Sequence, residues 1–390
     1  MRMKKHPSML VPEFIREIDP YIPSRPDHYL MAAYGIPVLH RLNNNENPFG
    51  PPPSAMEAIQ SLDPKDMAIY PSGDAFDLRC HMAEKLGISP DQILCGNGAN
   101  EIIQFVISAY CEAGDNIITA DKTFAVYEWV AEFSGVEARL TPMKDHGFDP
   151  EAMLAFMDER TKIFFICNPN NPTGTFWDKE TLHKFLEAVD GRAMVVVDEA
   201  YCEFAEDETF PDALILLDDH PNLLIFRTFS KMYGLAGLRI GYLIGQKDPV
   251  FDICRTRIVY SINSAAQKAA MAAFDDKEHI AKTKLMVKES KDWLKTRLEG
   301  MGLFVIAGEG NYLIAGLPFN DQLAYRKLIR KGYMVRTMTG FRYPNHIRIT
   351  LREKPLMEGF AAALEEVLEE RGCLKMIPSE PRKTEWKPVE

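Results

Sequence analysis

The chain has 390 residues, with 45 basic against 56 acidic side chains and a formal net charge of −11. That balance repels a phosphate backbone and so excludes bulk binding to nucleic acid or to an anionic membrane surface. Hydrophobic residues at 46% and charged residues at 26% are ordinary globular proportions, which excludes a collagen, a coiled coil or a wholly disordered chain, and the length suggests two or three domains.

The first forty residues carry six prolines, at 7, 12, 20, 23, 26 and 37, and residues 1–30 read as an arm lying on something else. The basic start, Met1 to His6, is not followed by the apolar stretch of a signal peptide, because Glu13, Arg16, Glu17 and Asp19 interrupt it. The expectation is a cytoplasmic protein. From about residue 90 to 250, short apolar runs alternate with amphipathic stretches. Strands are predicted at Gln92–Cys95, Asn116–Ala120, Lys162–Cys167, Ala193–Asp198, Leu223–Thr228 and Arg239–Ile244. Most of them are continuously hydrophobic, as strands covered on both faces are. Between them lie predicted helices Glu101–Tyr110, with Ile102, Ile103, Val106, Ile107 and Tyr110 on one face, and Lys179–Val189. This alternation predicts an α/β fold with a largely parallel sheet between helices, and such sheets hold ligands at the carboxyl ends of their strands.

A second region follows, with a charged helix Lys282–Gly300, strands at Leu303–Ile306, Asn311–Ala315, Met334–Arg336 and His346–Leu351, and helices Asp321–Lys331 and Pro355–Glu370. It predicts a smaller α+β domain. After Gly372 the tail, with Pro378, Pro381 and Pro388, reads as loose. No apolar run approaches the roughly 20 residues that span a bilayer. Seven widely spaced cysteines without a CxxC pair, and nine histidines without HExxH, predict reduced thiols and no metal site.

Six stretches can carry chemistry, and each has a bland alternative. Thr228-Phe229-Ser230-Lys231, continuing to Arg239, follows a buried strand. Its lysine is either an amine that condenses with an aldehyde cofactor, beside Thr228, Ser230 and Arg239 on a phosphate, or a solvated side chain in a glycine-rich loop. Asp198 ends another buried strand, where it either meets a cation such as a protonated pyridine or caps a following helix, and Tyr201 lies three residues on. Asn168-Pro169-Asn170-Asn171-Pro172-Thr173-Gly174 is a turn whose amides can donate without adding charge. Gly96-Asn97-Gly98-Ala99-Asn100-Glu101 precedes a helix and lets backbone N–H groups approach a phosphate, but it fails the dinucleotide fingerprint. Phe124 can stack on a planar ring or pack in the core. Arg348, on a predicted strand, either meets a carboxylate or phosphate or points to water from an edge.

In their order and spacing these motifs resemble the fold-type I pyridoxal-phosphate enzymes, the class I/II aminotransferases, from about Tyr21 to Arg371. Asn45-Glu46-Asn47-Pro48-Phe49-Gly50-Pro51 and Tyr70-Pro71 are similar to the branch that transaminates histidinol phosphate with 2-oxoglutarate. The resemblance implies a seven-stranded, mostly parallel sheet in a large domain at 49–281. It also implies a small domain from 31–48 and 282–372, and a tail at 373–390.

It implies that Lys231 links to pyridoxal 5'-phosphate and shuttles the proton, and that Asp198 pairs with the pyridinium. Asn171 and Tyr201 bond the phenolic oxygen, and Phe124 stacks on the ring. Gly98, Ala99, Asn100, Thr228, Ser230 and Arg239 cradle the phosphate, and Tyr70 reaches it from the neighbouring subunit of a homodimer. Arg348 grips the substrate carboxylate, with Tyr21, Asn47 and Arg336 around the substrate. Two departures stand out: Asn100 where the family usually has Asp, and Leu351-Arg352 where Val-Gly is usual. The second is similar to threonine-phosphate decarboxylases, so decarboxylation and aromatic transamination remain open alternatives.

Overall fold

The computed structural model describes residues 7–20, 23 and 25–373. In chain order its strands are β1 (His40–Leu42), β2 (Ile93–Gly96), β3 (Asn116–Ala120), β4 (Glu137–Thr141), β5 (Thr161–Cys167) and β6 (Met194–Asp198). They continue with β7 (Leu223–Thr228), β8 (Gly241–Gly245), β9 (Val305–Ile306), β10 (Tyr312–Gly316), β11 (Tyr333–Thr337) and β12 (His346–Thr350). Two compact units form. One gathers the described residues up to 23, Glu46–Leu285 and Gly308–Gly310. The other gathers Arg25–Asn45, Met286–Ala307 and the described residues from Asn311 on.

The larger unit holds a seven-stranded sheet in the order β2-β8-β7-β6-β5-β3-β4. Strands β4, β3, β5, β6 and β7 run parallel, and β8 runs antiparallel to both its neighbours, β7 and β2. The core strands are apolar throughout because helices cover both faces: Phe164, Phe165, Val195, Val196, Val197 and Leu224 are fully buried. The helix Lys179–Val189 shows how the flanking helices start. The Asp178 side chain accepts from the Thr181 N–H at 2.8 Å, and Leu182, Phe185, Leu186 and Val189 face the sheet. The parallel register sets Cys167 beside Asp198 and Asp198 beside Phe226. Gly241 at the start of β8 pairs with both Gly96 and Thr228, so the ends of β2 and β7 flank it at the same edge of the sheet.

The smaller unit has a five-stranded sheet in the order β1-β11-β12-β10-β9, with β1 parallel to β11 and the other pairs antiparallel. Some predicted bounds shift. The predicted strand Arg239–Ile244 starts at Gly241, because Arg239 itself turns through the left-handed region at φ 57°. The charged helix begins five residues earlier, at Lys277. Strand β4 and the helices Pro53–Gln60, Phe76–Leu86 and Val126–Phe133 were not predicted.

Candidate active site

The chemistry-bearing residues of the larger unit gather where strands β2, β5, β6 and β7 end. Asp198 closes β6 and is 3% exposed. Its Oδ1 accepts from the Ala200 N–H at 3.1 Å and its Oδ2 from the Tyr127 hydroxyl at 2.5 Å. Burial pushes its carboxyl above the usual carboxylate range; the two hydrogen bonds and the Lys231 charge pull it back down. A buried acid held in this way suits a cationic partner.

Lys231 follows β7 on a loop pinned from two sides. Gly234 takes φ 67°, and a Cβ there would stand 2.0 Å from the Gly50 carbonyl oxygen, so the two loops touch backbone to backbone. Asn47 donates from Nδ2 to the Met232 carbonyl at 2.7 Å and accepts the Phe49 N–H at 3.0 Å. That amide serves the Lys231 loop. The Lys231 ammonium lies 5.8 Å from the centre of the buried Tyr201 ring. Asn171 is buried in the turn after β5, and its N–H donates to the Cys167 sulfur at 3.4 Å. Phe124, half-buried, meets Tyr127 edge-on with ring centres 5.5 Å apart.

The opposite end of the site is an anion cradle. Gly98, at φ 82°, leads into the helix Ala99–Tyr110, and the place of its missing Cβ is 2.3 Å from Nη2 of Arg239. The guanidinium therefore lies directly over the glycine. Gly241 brings β8 to the Ala99 N–H. The Thr228 and Ser230 hydroxyls bond each other at 3.0 Å, and the Ser230 N–H donates to Thr228 Oγ1 at 3.1 Å. Asn100 sits exposed in the first turn. Glu101 turns back to accept the Asn97 N–H at 2.7 Å, which fixes the loop. Free N–H groups, a dipole end and an arginine together favour a phosphate.

Tyr70 is 80% exposed and stacks on Tyr260 at 4.8 Å. Within the smaller unit Arg348 is no edge residue: β12 lies between β11 and β10, and Arg348 is buried, donating to the Asn43 carbonyl at 2.7 Å. Arg336 pairs with it across the sheet, and both guanidinium carbons lie within 6 Å of the Phe341 ring, at 5.5 and 5.7 Å. Arg352 donates to the Arg41 carbonyl at 3.4 Å. Tyr21 lies outside the described residues. Sequence reasoning passed over Tyr127, which reads as one more core aromatic beside Phe124. Among the described residues, no group of three or more His, Cys, Asp or Glu is placed to hold a metal ion, and no helix is long and apolar enough to cross a membrane.

Residues 38–364 match the family described as aminotransferase class I and II. The chain belongs to that family. This aminotransferase is 40% identical over 358 residues to a histidinol-phosphate aminotransferase of Caldicellulosiruptor saccharolyticus, covering 91% of this chain and 99% of that one. It is 38% identical to histidinol-phosphate aminotransferase 2 of Pseudomonas fluorescens, covering 91% and 96%. A crystal structure of the histidinol-phosphate aminotransferase from Sinorhizobium meliloti in complex with pyridoxal-5'-phosphate superposes with a TM-score of 0.82 at 27% identity, covering 92% and 97%.

Proposed function

We propose that this aminotransferase moves the amino group of histidinol phosphate to 2-oxoglutarate, with pyridoxal 5'-phosphate as its cofactor. The observation that carries the substrate is the 40% identity, over nearly the full length of both chains, to a histidinol-phosphate aminotransferase. The residues fit the cofactor at both ends: a buried acid for a basic ring nitrogen, and a glycine–arginine cradle for a phosphate.

When bound, the cofactor supplies the electron sink that makes an amino-acid α-proton removable near neutral pH. Lys231 Nζ would be the base that takes this proton and the acid that gives it back. Asp198 would keep the ring nitrogen charged. The Asn171 amide and the Tyr201 hydroxyl would donate to the ring oxygen O3′, and Phe124 would cover the ring face. The N–H groups of Ala99 and Asn100, beside Gly98, would hold the phosphate with Thr228, Ser230 and Arg239. Arg348 grips the substrate carboxylate as a planar fork. The roles at the substrate's far end would fall to Arg336 and Tyr21, and Asn47 acts through the loop it holds. Arg352, engaged with the backbone of Arg41, supports the smaller sheet in this reading and gives no reason to prefer decarboxylation.

A second copy of the chain completes the site, with Tyr70 reaching the partner's phosphate. Supporting this is an exposed apolar surface of Met67, Ile69, Tyr70, Phe76, Ile258, Val259 and Tyr260 on two segments that touch through the Tyr70–Tyr260 stack. All seven cysteines are free thiols, which suits a reducing, cytoplasmic setting.

The test is a panel of amino donors against 2-oxoglutarate, following glutamate and carbon dioxide. Histidinol phosphate is expected to give the highest kcat/KM with glutamate as product. Preference for aromatic amino acids, or carbon dioxide release from threonine phosphate without glutamate, overturns the assignment.

A further inference from the structure

Behind Asp198 lies a buried phenol that none of the roles above uses. Tyr127 is fully buried, on the first turn of the helix Val126–Phe133. Its ring stacks on Phe165, with centres 4.8 Å apart and planes 9° from parallel, and meets Phe124 edge-on. Clamped on two sides, the ring has one direction for its hydroxyl, and that hydroxyl donates to Asp198 Oδ2 at 2.5 Å. The groups facing Asp198 are this phenol, the Ala200 N–H, the Lys231 charge and, beside the phenol, the Cys167 thiol. Burial holds both the Tyr127 hydroxyl and the Cys167 thiol in their protonated forms, so neither competes with Asp198 for the role of anion.

A carboxylate facing a pyridine nitrogen in a dry site shares one proton with it. A hydrogen bond given to the carboxylate weakens that acid as a base and leaves the proton on the ring. A neutral donor does so without adding a positive charge that would repel the pyridinium. We propose that Tyr127 is a positioning residue that orients Asp198 and, through its hydroxyl, keeps the shared proton on the cofactor's ring nitrogen; the inference rests on the pyridoxal-phosphate reading.

The experiment loads the protein with cofactor labelled with 15N in the ring and compares wild type, Tyr127→Phe and 3-fluorotyrosine at position 127. Fluorotyrosine keeps the shape and is the stronger donor; Phe keeps the ring clamped but donates nothing. The ring-nitrogen shift is expected to order Phe, Tyr, fluorotyrosine from neutral pyridine toward pyridinium. The cofactor Kd of Tyr127→Phe is expected to rise on the order of tenfold, the scale of one lost hydrogen bond to a charged group. The cofactor-free Tyr127→Phe protein is expected to melt somewhat lower, since it loses the same hydrogen bond to a buried acid, so the nitrogen shift and not the melting point decides. A shift that ignores the series overturns the proposal, as does a Phe variant whose cofactor-free form melts lower while its nitrogen shift stays at wild type. If the Phe variant does not fold, the Tyr and fluorotyrosine pair alone decides by the same criterion. A wild type that binds no cofactor sinks the underlying reading instead, which keeps the two failures apart.

Discussion

Gly98 is a glycine for two separate reasons. Its φ of 82° is left-handed, and its missing Cβ would stand 2.3 Å from the Arg239 guanidinium. Gly98→Ala therefore costs about 1 kcal/mol of backbone strain and also pushes the arginine off the cradle. The expected outcome is a cofactor Kd raised at least tenfold, about 1.4 kcal/mol, with a small drop in the melting temperature of the cofactor-free protein. Equilibrium dialysis against pyridoxal 5'-phosphate measures it; an unchanged Kd removes the Gly98–Arg239 cradle from the site. At this scale the sequence shows side chains that announce a chemistry. Lys231 after a buried strand and Asp198 ending one stand out, because charge at the end of an apolar run is costly without a purpose. Tyr127 does not stand out, because an aromatic at that spacing looks the same whether its hydroxyl is used or not. Asn47 shows the converse: the residue is visible in its motif, but only the structure reveals that its amide holds the Met232 carbonyl.

Where β6 and β7 end, the residues adjoining Asp198 and Thr228 form a buried charge cluster. Glu199, after β6, accepts from Arg227 Nε of β7 at 2.8 Å. Glu203, one turn on, shares this environment, and burial pushes its carboxyl up to about 7 while Arg227 only partly offsets it. The folded protein thus keeps the Glu203 proton over a range where the unfolded chain, with an ordinary carboxyl of 4.5, has lost it. Stability from this group is complete below about 4.5 and is lost as the pH rises through about 7. Glu203→Gln removes the loss, so its melting advantage over wild type grows between pH 5 and 8 to on the order of 2 kcal/mol. Equal pH slopes for the two proteins would show that Glu203 titrates normally. Elements like these are legible when burial is two-sided: the apolar runs of β5, β6 and β7 need no context. Strand β4, Glu-Ala-Arg-Leu-Thr at the sheet edge, has neither an apolar run nor a clean alternation, and it escaped. The reversal of β8 escaped too, since strand direction depends on how the loop from Lys231 to Arg239 turns, not on the apolar pattern.

For the whole molecule, the question is why Tyr70 and its neighbours face solvent. The segment around Tyr70 is anchored to its own unit: Lys268 pairs with Asp66 at 3.0 Å, and Gln267 donates to the Ser72 carbonyl at 3.1 Å. Tyr260 takes a left-handed φ of 62°, a strain for a bulky residue, and stacks under Tyr70. A rigid, strained, apolar presentation of this kind fits an isologous interface in which each copy lends Tyr70 to the other. If so, Tyr70→Ala and Lys231→Ala each damage both sites of a dimer, through different subunits. Mixing the two variants under conditions of subunit exchange places both defects in one site of each heterodimer and leaves the other site intact. Half the dimers then carry one good site of two, and activity is expected to recover to about a quarter of wild type. Mass-resolved chromatography establishes that exchange has taken place. Exchange without recovered activity would mean that Tyr70 serves its own subunit's site, and a monomer in solution would mean that this surface has no second copy to cover it.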